Sequence, residues 1–302
     1  MHFLPLFLTI AVNGSLNDRP RVGDTIRTSA GSLLVGSLLG EGSYGTVYRS
    51  KLNGSEVALK IGKTKSNLKN QIFGNTVPSD YMEISHEIRM MKIMKNQIGF
   101  PRVYAQSTRG RYKYYVMELL GKSLNHLRPL GTRPLTLIGI QIIDRLAALH
   151  KMGYLMYDIH PGNFVLKDAT VYAIDLGMAV PYVIGGVHVP YTWSHIGEGR
   201  KNPYWTSRSD GEGHAVSRRD DLERFLYMIV DLLINKLPWK KYSDVSEISV
   251  KKWYSDPSDI CLGKSKWLIP AFQYVFGLGF DEEPDYEYLR SIFRHRLTQL
   301  VA

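Results

Sequence analysis

Residues 154–177 read YLMYDIHPGNFVLKDATVYAIDLG. Among its oxygen-bearing side chains, Asp158, Asn163 and Asp175 stand out. An aspartate facing a cleft can accept a proton from an incoming hydroxyl, while an asparagine and a second aspartate are hard oxygen ligands of the kind magnesium takes. Their order and spacing are the layout of a phosphoryl-transfer site. Taken singly, each would be read as a cap or turn former. The stretch also holds an oddity, His160, two positions after the first aspartate.

Upstream, Gly40-Glu41-Gly42-Ser43-Tyr44-Gly45-Thr46-Val47 sets three glycines where backbone N–H groups can approach phosphates without Cβ clashes. The pattern alone is weak. A dinucleotide-binding fold would continue into a helix, whereas this loop continues into a strand-like run, then Asn53-Gly54 as a hairpin turn into Val57–Lys60. That context favours a loop covering nucleotide phosphates. Lys60 ends Val57-Ala58-Leu59-Lys60 and can reach the α- and β-phosphates if a carboxylate holds it. Glu87, on a helix predicted over residues 80–95, is the candidate partner, with Glu83 one turn earlier as runner-up. Gly62-Lys63-Thr64 is not a Walker loop, because Val57 stands where that motif needs glycine.

The 302 residues suffice for one large domain or two packed lobes, and 44% apolar with 22% charged residues is ordinary globular usage. A net charge of +10 suggests an anionic partner. The cations are dispersed, with no run longer than a pair such as Lys240-Lys241, so specific nucleic acid binding is not expected. The single cysteine, Cys261, excludes an intrachain disulfide framework and a cysteine metal site, and reads as a small core residue. A reducing compartment fits, the cytoplasm first and the nucleus second. The opening MHFLPLFLTIAV has signal-peptide length but no preceding Lys or Arg, and is too short to span a bilayer. Residues 1–32 are therefore read as a leader, disordered or packed on the small lobe, and secretion is not expected. Asn13 and Asn53 would be glycosylation acceptors only in a secreted chain.

Residues 33–118 are strand-rich with one helix. Gly121 reads as a hinge, and beyond it Leu135–Leu149, Leu222–Leu233, Trp267–Phe276 and Tyr286–Leu297 carry helical stripes. The expected class is α+β with two lobes: a small lobe over 33–118, a hinge at 118–121 and a helical lobe over 122–302.

Together these residues resemble the eukaryotic protein kinases, and further segments resemble the casein kinase I group with its vaccinia-related relatives. Met117-Glu118-Leu119-Leu120-Gly121 looks like that group's hinge, and Ser217-Arg218-Arg219-Asp220-Asp221-Leu222-Glu223 is a near-verbatim signature. Asp281-Glu282-Glu283-Pro284-Asp285-Tyr286, followed by Tyr288-Leu289-Arg290, resembles the end of the group's catalytic domain. Gly99-Phe100-Pro101 fits the segment after its helix, in a register that supports Glu87. The resemblance covers about residues 33–297.

It implies a bilobal serine/threonine kinase using MgATP on protein substrates, expected to be a monomer without a transmembrane segment. In that reading Gly40, Gly42 and Gly45, with Glu41, Ser43 and Val47, cover the nucleotide. Ala58, the gatekeeper Met117, Glu118 and Leu120 surround adenine. Lys60, held by Glu87, orients the phosphates, Asp158 is the catalytic base, and Asn163 and Asp175 hold magnesium. Asp221 would be a buried brace for the catalytic loop. Ser207-Arg208-Ser209 falls where the group has Ser-Ile-Asn.

Three departures stand out. Met156-Tyr157-Asp158 replaces His-Arg-Asp, removing the cation that would receive an activation-loop phosphate, so no such switch is expected. His160 replaces a lysine, and losing one donor to the transferring phosphoryl costs on the order of 10²–10³ in rate. Histidine can still donate, a nearby phosphate would favour its protonated form, and Asp-x-His-Pro-Gly-Asn resembles the loop of the active aminoglycoside and choline kinases. Finally, the segment between Trp239 and Lys252 is shorter than in the group and lacks its basic cluster. Arg200, Lys201, Lys251 and Lys252 remain to favour acidic or prephosphorylated substrates. The alternative readings are a pseudokinase or scaffold and a small-molecule kinase. The complete Lys60, Asp158, Asn163 and Asp175 set argues against the first, and the 217–223 signature against the second.

Overall fold

The computed structural model describes residues 19–42, 45–63, 84–109, 112–193 and 203–300. Ser43, Glu83, Arg200, Lys201 and the apolar opening of the chain lie outside them. The first lobe comprises β1 (Thr25–Thr28), β2 (Gly31–Gly42), β3 (Gly45–Leu52), β4 (Ser55–Lys63), helix α1 (Ile84–Ile93), β5 (Val103–Arg109) and β6 (Tyr112–Glu118). The strands form one antiparallel sheet in the order β1-β2-β3-β4-β6-β5. Asn53 and Gly54, at φ 49 and 86, make the expected two-residue turn between β3 and β4.

Period-two alternation positions the site. On β4, Val57, Leu59 and Ile61 enter a core with Ile26, Leu33, Val35 and Val116. Ala58 and Lys60 take the opposite face, which α1 covers with Ile84, Ile88 and Glu87. The sheet starts earlier than residue 33: Gly31, at φ 126, turns the chain so that Ile26 pairs with Leu33. Part of the expected leader is therefore an edge strand.

The second lobe follows with α2 (Thr132–Lys151), β7 (Tyr154–Leu155), β8 (Phe164–Lys167), β9 (Thr170–Ala173), β10 (Val180–Pro181), β11 (Val183–Ile184) and β12 (Val187–His188). After these come α3 (Arg208–Gly211), α4 (Arg218–Ile234), α5 (Val245–Trp253), α6 (Pro257–Ile260), α7 (Ile269–Gly277) and α8 (Tyr286–Gln299). Helix α4 is buried on every side from Asp220 to Leu233, so it is the axis of this lobe and not an amphipathic surface helix. Gly139 marks where α2 meets α8, since a Cβ there would stand 2.2 Å from the Phe293 ring. Cys261 is buried in this core, and burial pushes its thiol up to about 12. No helix among the described residues is long and apolar enough to cross a membrane.

Two small ribbons set the chemistry. β7 pairs with β10 and β8 with β9. The loop joining β7 to β8 carries Asp158 and Asn163, and the turn joining β9 to β10 carries Asp175. Pairing the strands this way brings both connections to the same end.

Candidate active site

Lys60 is 4% exposed. Its Nζ lies 2.8 and 2.7 Å from the two oxygens of Glu87 and 3.1 Å from Asp175 Oδ1. Tyr115, opposite Lys60 in the β4–β6 ladder, donates to Glu87 Oε1 at 2.8 Å. Burial alone would lower the lysine's pKa, but the carboxylates of Asp175 and Glu87 more than offset this and hold it above its ordinary value. Lys60 is thus a fixed cation joining α1 to the Asp175 turn.

A second tie runs beside it. His86, buried on α1, has Nδ1 2.6 Å from Arg89 Nη2 and Nε2 2.7 Å from Ala179 O. A ring that accepts from arginine at Nδ1 carries its proton on Nε2 and donates it to the carbonyl. Nothing local in the sequence marks His86, because its partner Ala179 is far along the chain.

The loop after β7 is held from below. Asp221 Oδ2 accepts from Met156 N at 2.6 Å and Oδ1 from Tyr157 N at 3.0 Å, while His150 Nε2 stands 3.0 Å from Oδ2. Burial would raise this carboxyl, yet His150, Arg224 and the backbone donor of Met156 keep it below the ordinary value. Tyr157 adopts φ 67, so the chain reverses before Asp158. Asn163 Nδ2 donates to Asp158 O at 2.9 Å and to Asp158 Oδ2 at 3.2 Å. With its amide nitrogen committed there, Asn163 offers its carbonyl oxygen to a ligand. Asp175, in the left-handed region at φ 57, brings its carboxylate to Lys60.

No group of three or more His, Cys, Asp or Glu suited to a metal occurs among the described residues. One carboxylate and one amide oxygen still fit magnesium, which keeps waters and takes phosphate oxygens for its remaining ligands.

Around the cleft, Ala58 and Met117 share one apolar cluster, with Val47 and Leu119 packed against it. Glu118 binds Lys167 at 2.6 Å. Gly121 is obligatory, since a Cβ would lie 2.1 Å from Leu166 O where the hinge crosses β8. At the glycine loop, Gly42 pairs with Gly45, and a Cβ on Gly45 would stand 2.5 Å from Ile61 O. Gly40 and Gly42 have open space at the Cβ position.

A protein kinase domain model matches residues 33–192. The chain belongs to the protein kinase family. It is also 30% identical over 288 residues to Casein kinase I homolog 3 of Schizosaccharomyces pombe, an alignment covering 88% of this chain and 62% of that relative. The casein kinase I likeness agrees with the 217–223 signature, and protein kinases use ATP and magnesium.

In this kinase the structure redraws the three departures. Tyr157, at the sequence position of the missing arginine, is tied to the second lobe: its hydroxyl donates to Asp210 Oδ1 at 3.1 Å, and Arg224 of α4 lies 4.7 Å over its ring. Arg224 also binds Asp210 at 2.6 Å and Asp221 at 3.3 Å, so a cation from α4 sits beneath the loop. His160 Nδ1 accepts from Gly162 N at 3.1 Å, and Nε2 lies 3.6 Å from Asp158 Oδ2. A ring accepting at Nδ1 carries its proton on Nε2, the nitrogen that faces Asp158.

Lys252 was expected to favour acidic substrates, and the fold places it elsewhere. It is 2% exposed, lies between the Tyr227 and Trp239 rings, and donates to the carbonyls of Pro203 and Thr206. It holds the segment before α3 instead of facing solvent. The kinase's glycine loop also has a contact the sequence concealed: Arg19 reaches Glu41 at 3.5 Å and Thr46 Oγ1.

Proposed function

We propose that this chain is an active serine/threonine kinase that transfers the γ-phosphoryl of MgATP to protein hydroxyls. The observation that carries the reading is the joint contact of Lys60 with Glu87 and Asp175 beside the tied pair Asp158–Asn163. The cation, the metal-ligand oxygens and the base occupy one cleft.

Asp158 accepts the proton of the acceptor hydroxyl as its oxygen bonds to the γ-phosphorus and the bond to the β-phosphate oxygen breaks. Asn163 holds the Asp158 carboxylate in place. Lys60 steadies the α- and β-phosphates, and Glu87 keeps Lys60 from turning away. Asn163 and Asp175 would hold magnesium, which supplies charge neutralisation on the phosphates. Gly40, Glu41, Gly42, Ser43 and Gly45 cover those phosphates, Val47, Ala58 and Met117 enclose the base, and the backbone of Glu118 to Leu120 meets its edge. His160 contributes an Nε2–H donor. Net charge supports acidic protein substrates, and single-cysteine usage supports a reducing compartment, the cytoplasm or nucleus.

The wild-type chain with MgATP is expected to label casein on serine or threonine, and Lys60→Met to label it at least about 10²-fold more slowly. Labelling confined to tyrosine would overturn the acceptor assignment. No labelling by wild type would overturn the activity.

A further inference from the structure

Behind the hinge, the end of α1, the turn after it, β5 and β9 enclose a groove of about 1030 Å³. None of Lys60, Asp158, Asn163 or Asp175 lines it. Its exposed cations are Lys92, Lys95 and Arg102, and none of the three has a carboxylate partner among the described residues. The one acid lining it, Glu118, is already bound to Lys167 at 2.6 Å. The same groove carries two large side chains open to solvent, Ile98 at 75% and Tyr104 at 40% exposure.

The backbone presenting Ile98 is pinned. Gly99 takes φ 79 with the Arg145 side chain against it, so a Cβ there would lie 1.8 Å from Arg145 Nε. Ala173 N donates to Gly99 O at 2.8 Å, and Arg145 Nε donates to Val171 O at 3.0 Å. Ile98 is therefore held outward by a fixed turn, and an apolar surface among unpaired charges of one sign has the anatomy of a binding site.

We propose that this groove docks an acidic segment of the protein substrate, with one apolar side chain seated on Ile98 and Tyr104. The proposal rests on the protein kinase reading only for calling the ligand a substrate. Charge complementarity selects the acidic segment: among the described residues the groove offers three cations without carboxylate partners and no free anion. Ile98 and Tyr104 together suit an aliphatic or aromatic side chain of such a segment. An acid preference at a remote groove also accommodates the burial of Lys252, which withdraws one cation from substrate selection.

The test has two arms on the full chain. In the first, labelled casein is titrated onto wild type, Lys92→Glu/Lys95→Glu/Arg102→Glu and Ile98→Asp, with no nucleotide present. Each variant is expected to bind about tenfold or more weakly, the order of a few lost surface charge contacts or one apolar anchor. In the second, turnover is compared on casein and on a short acceptor peptide lacking any flanking acidic segment. The variants are expected to raise KM for casein by about the same factor while kcat and KM for the peptide stay as in wild type. Unchanged casein binding overturns the groove, as does an equal KM change on both substrates. Variants that lose affinity for a polynucleotide or for anionic vesicles while keeping casein also overturn it. If casein binds through the groove but no substrate is turned over, the kinase activity fails and the docking surface stands.

Discussion

His160 uses its two ring nitrogens differently, one accepting from Gly162 N and the other facing Asp158. The ring's position depends on Gly162. A Cβ on Gly162 would stand 2.7 Å from His160 Cε1 and 2.9 Å from Nδ1, so the ring occupies the space that glycine leaves. Gly162→Ala should displace the ring and lower kcat by roughly tenfold or more, with KM for ATP little changed. In a His160→Ala background the same substitution should add little, because the group it displaces is gone. Steady-state kinetics of the four proteins check this, and fully additive losses would separate Gly162 from His160. The sequence showed that His160 was unusual and that histidine could donate. It did not show which nitrogen, since that depends on the backbone N–H two residues on.

At the scale of elements, α4 supports the chemistry without touching it. Its Asp221 takes two loop N–H groups, His150 and Arg224 in a fully buried setting. Removing one charge from such a network costs about 3–5 kcal/mol because the remaining partners stay buried and unmatched. Asp221→Asn should therefore lose stability of that order at neutral pH in chemical denaturation. The folded carboxyl lies below its ordinary value of 3.8, so its contribution is complete above 3.8 and is lost as pH falls through the folded-state value. The gap between wild type and variant should hold from pH 7 to about 4 and narrow below it. A gap that widens on acidification would contradict the brace. This element was legible because Ser217–Glu223 stands as a contiguous string. Helix α5 was not, since its β-branched residues give a weak helical signal, and the role of Lys252 depends on carbonyls at Pro203 and Thr206. β5 gives no strand signal of its own in the sequence and pairs along its length with β6.

Over the whole molecule, what the sequence made plain was whatever is encoded locally: the glycine loop between two strands, the Asn53-Gly54 turn, the hinge and the order of Asp158, Asn163 and Asp175. What it left hidden requires segments distant in sequence to meet, such as His86 with Ala179, Tyr157 with Asp210, or Arg19 with the glycine loop. The choice of Glu87 over Glu83 belongs between these, since helix periodicity allowed both and the Lys60 contact at 2.7 Å fixes Glu87 as the partner. Both lobes converge on one cleft, with Lys60 and Glu87 from the first and Asp158, Asn163 and Asp175 from the second. The measurement that bears most directly on that convergence is γ-phosphoryl transfer from MgATP to casein, followed side by side in wild type and Asp158→Asn. Removing the base should lower kcat by about 10²–10⁴ while nucleotide binding, read by thermal shift, is retained. An Asp158→Asn protein that turns over as fast as wild type would contradict the account.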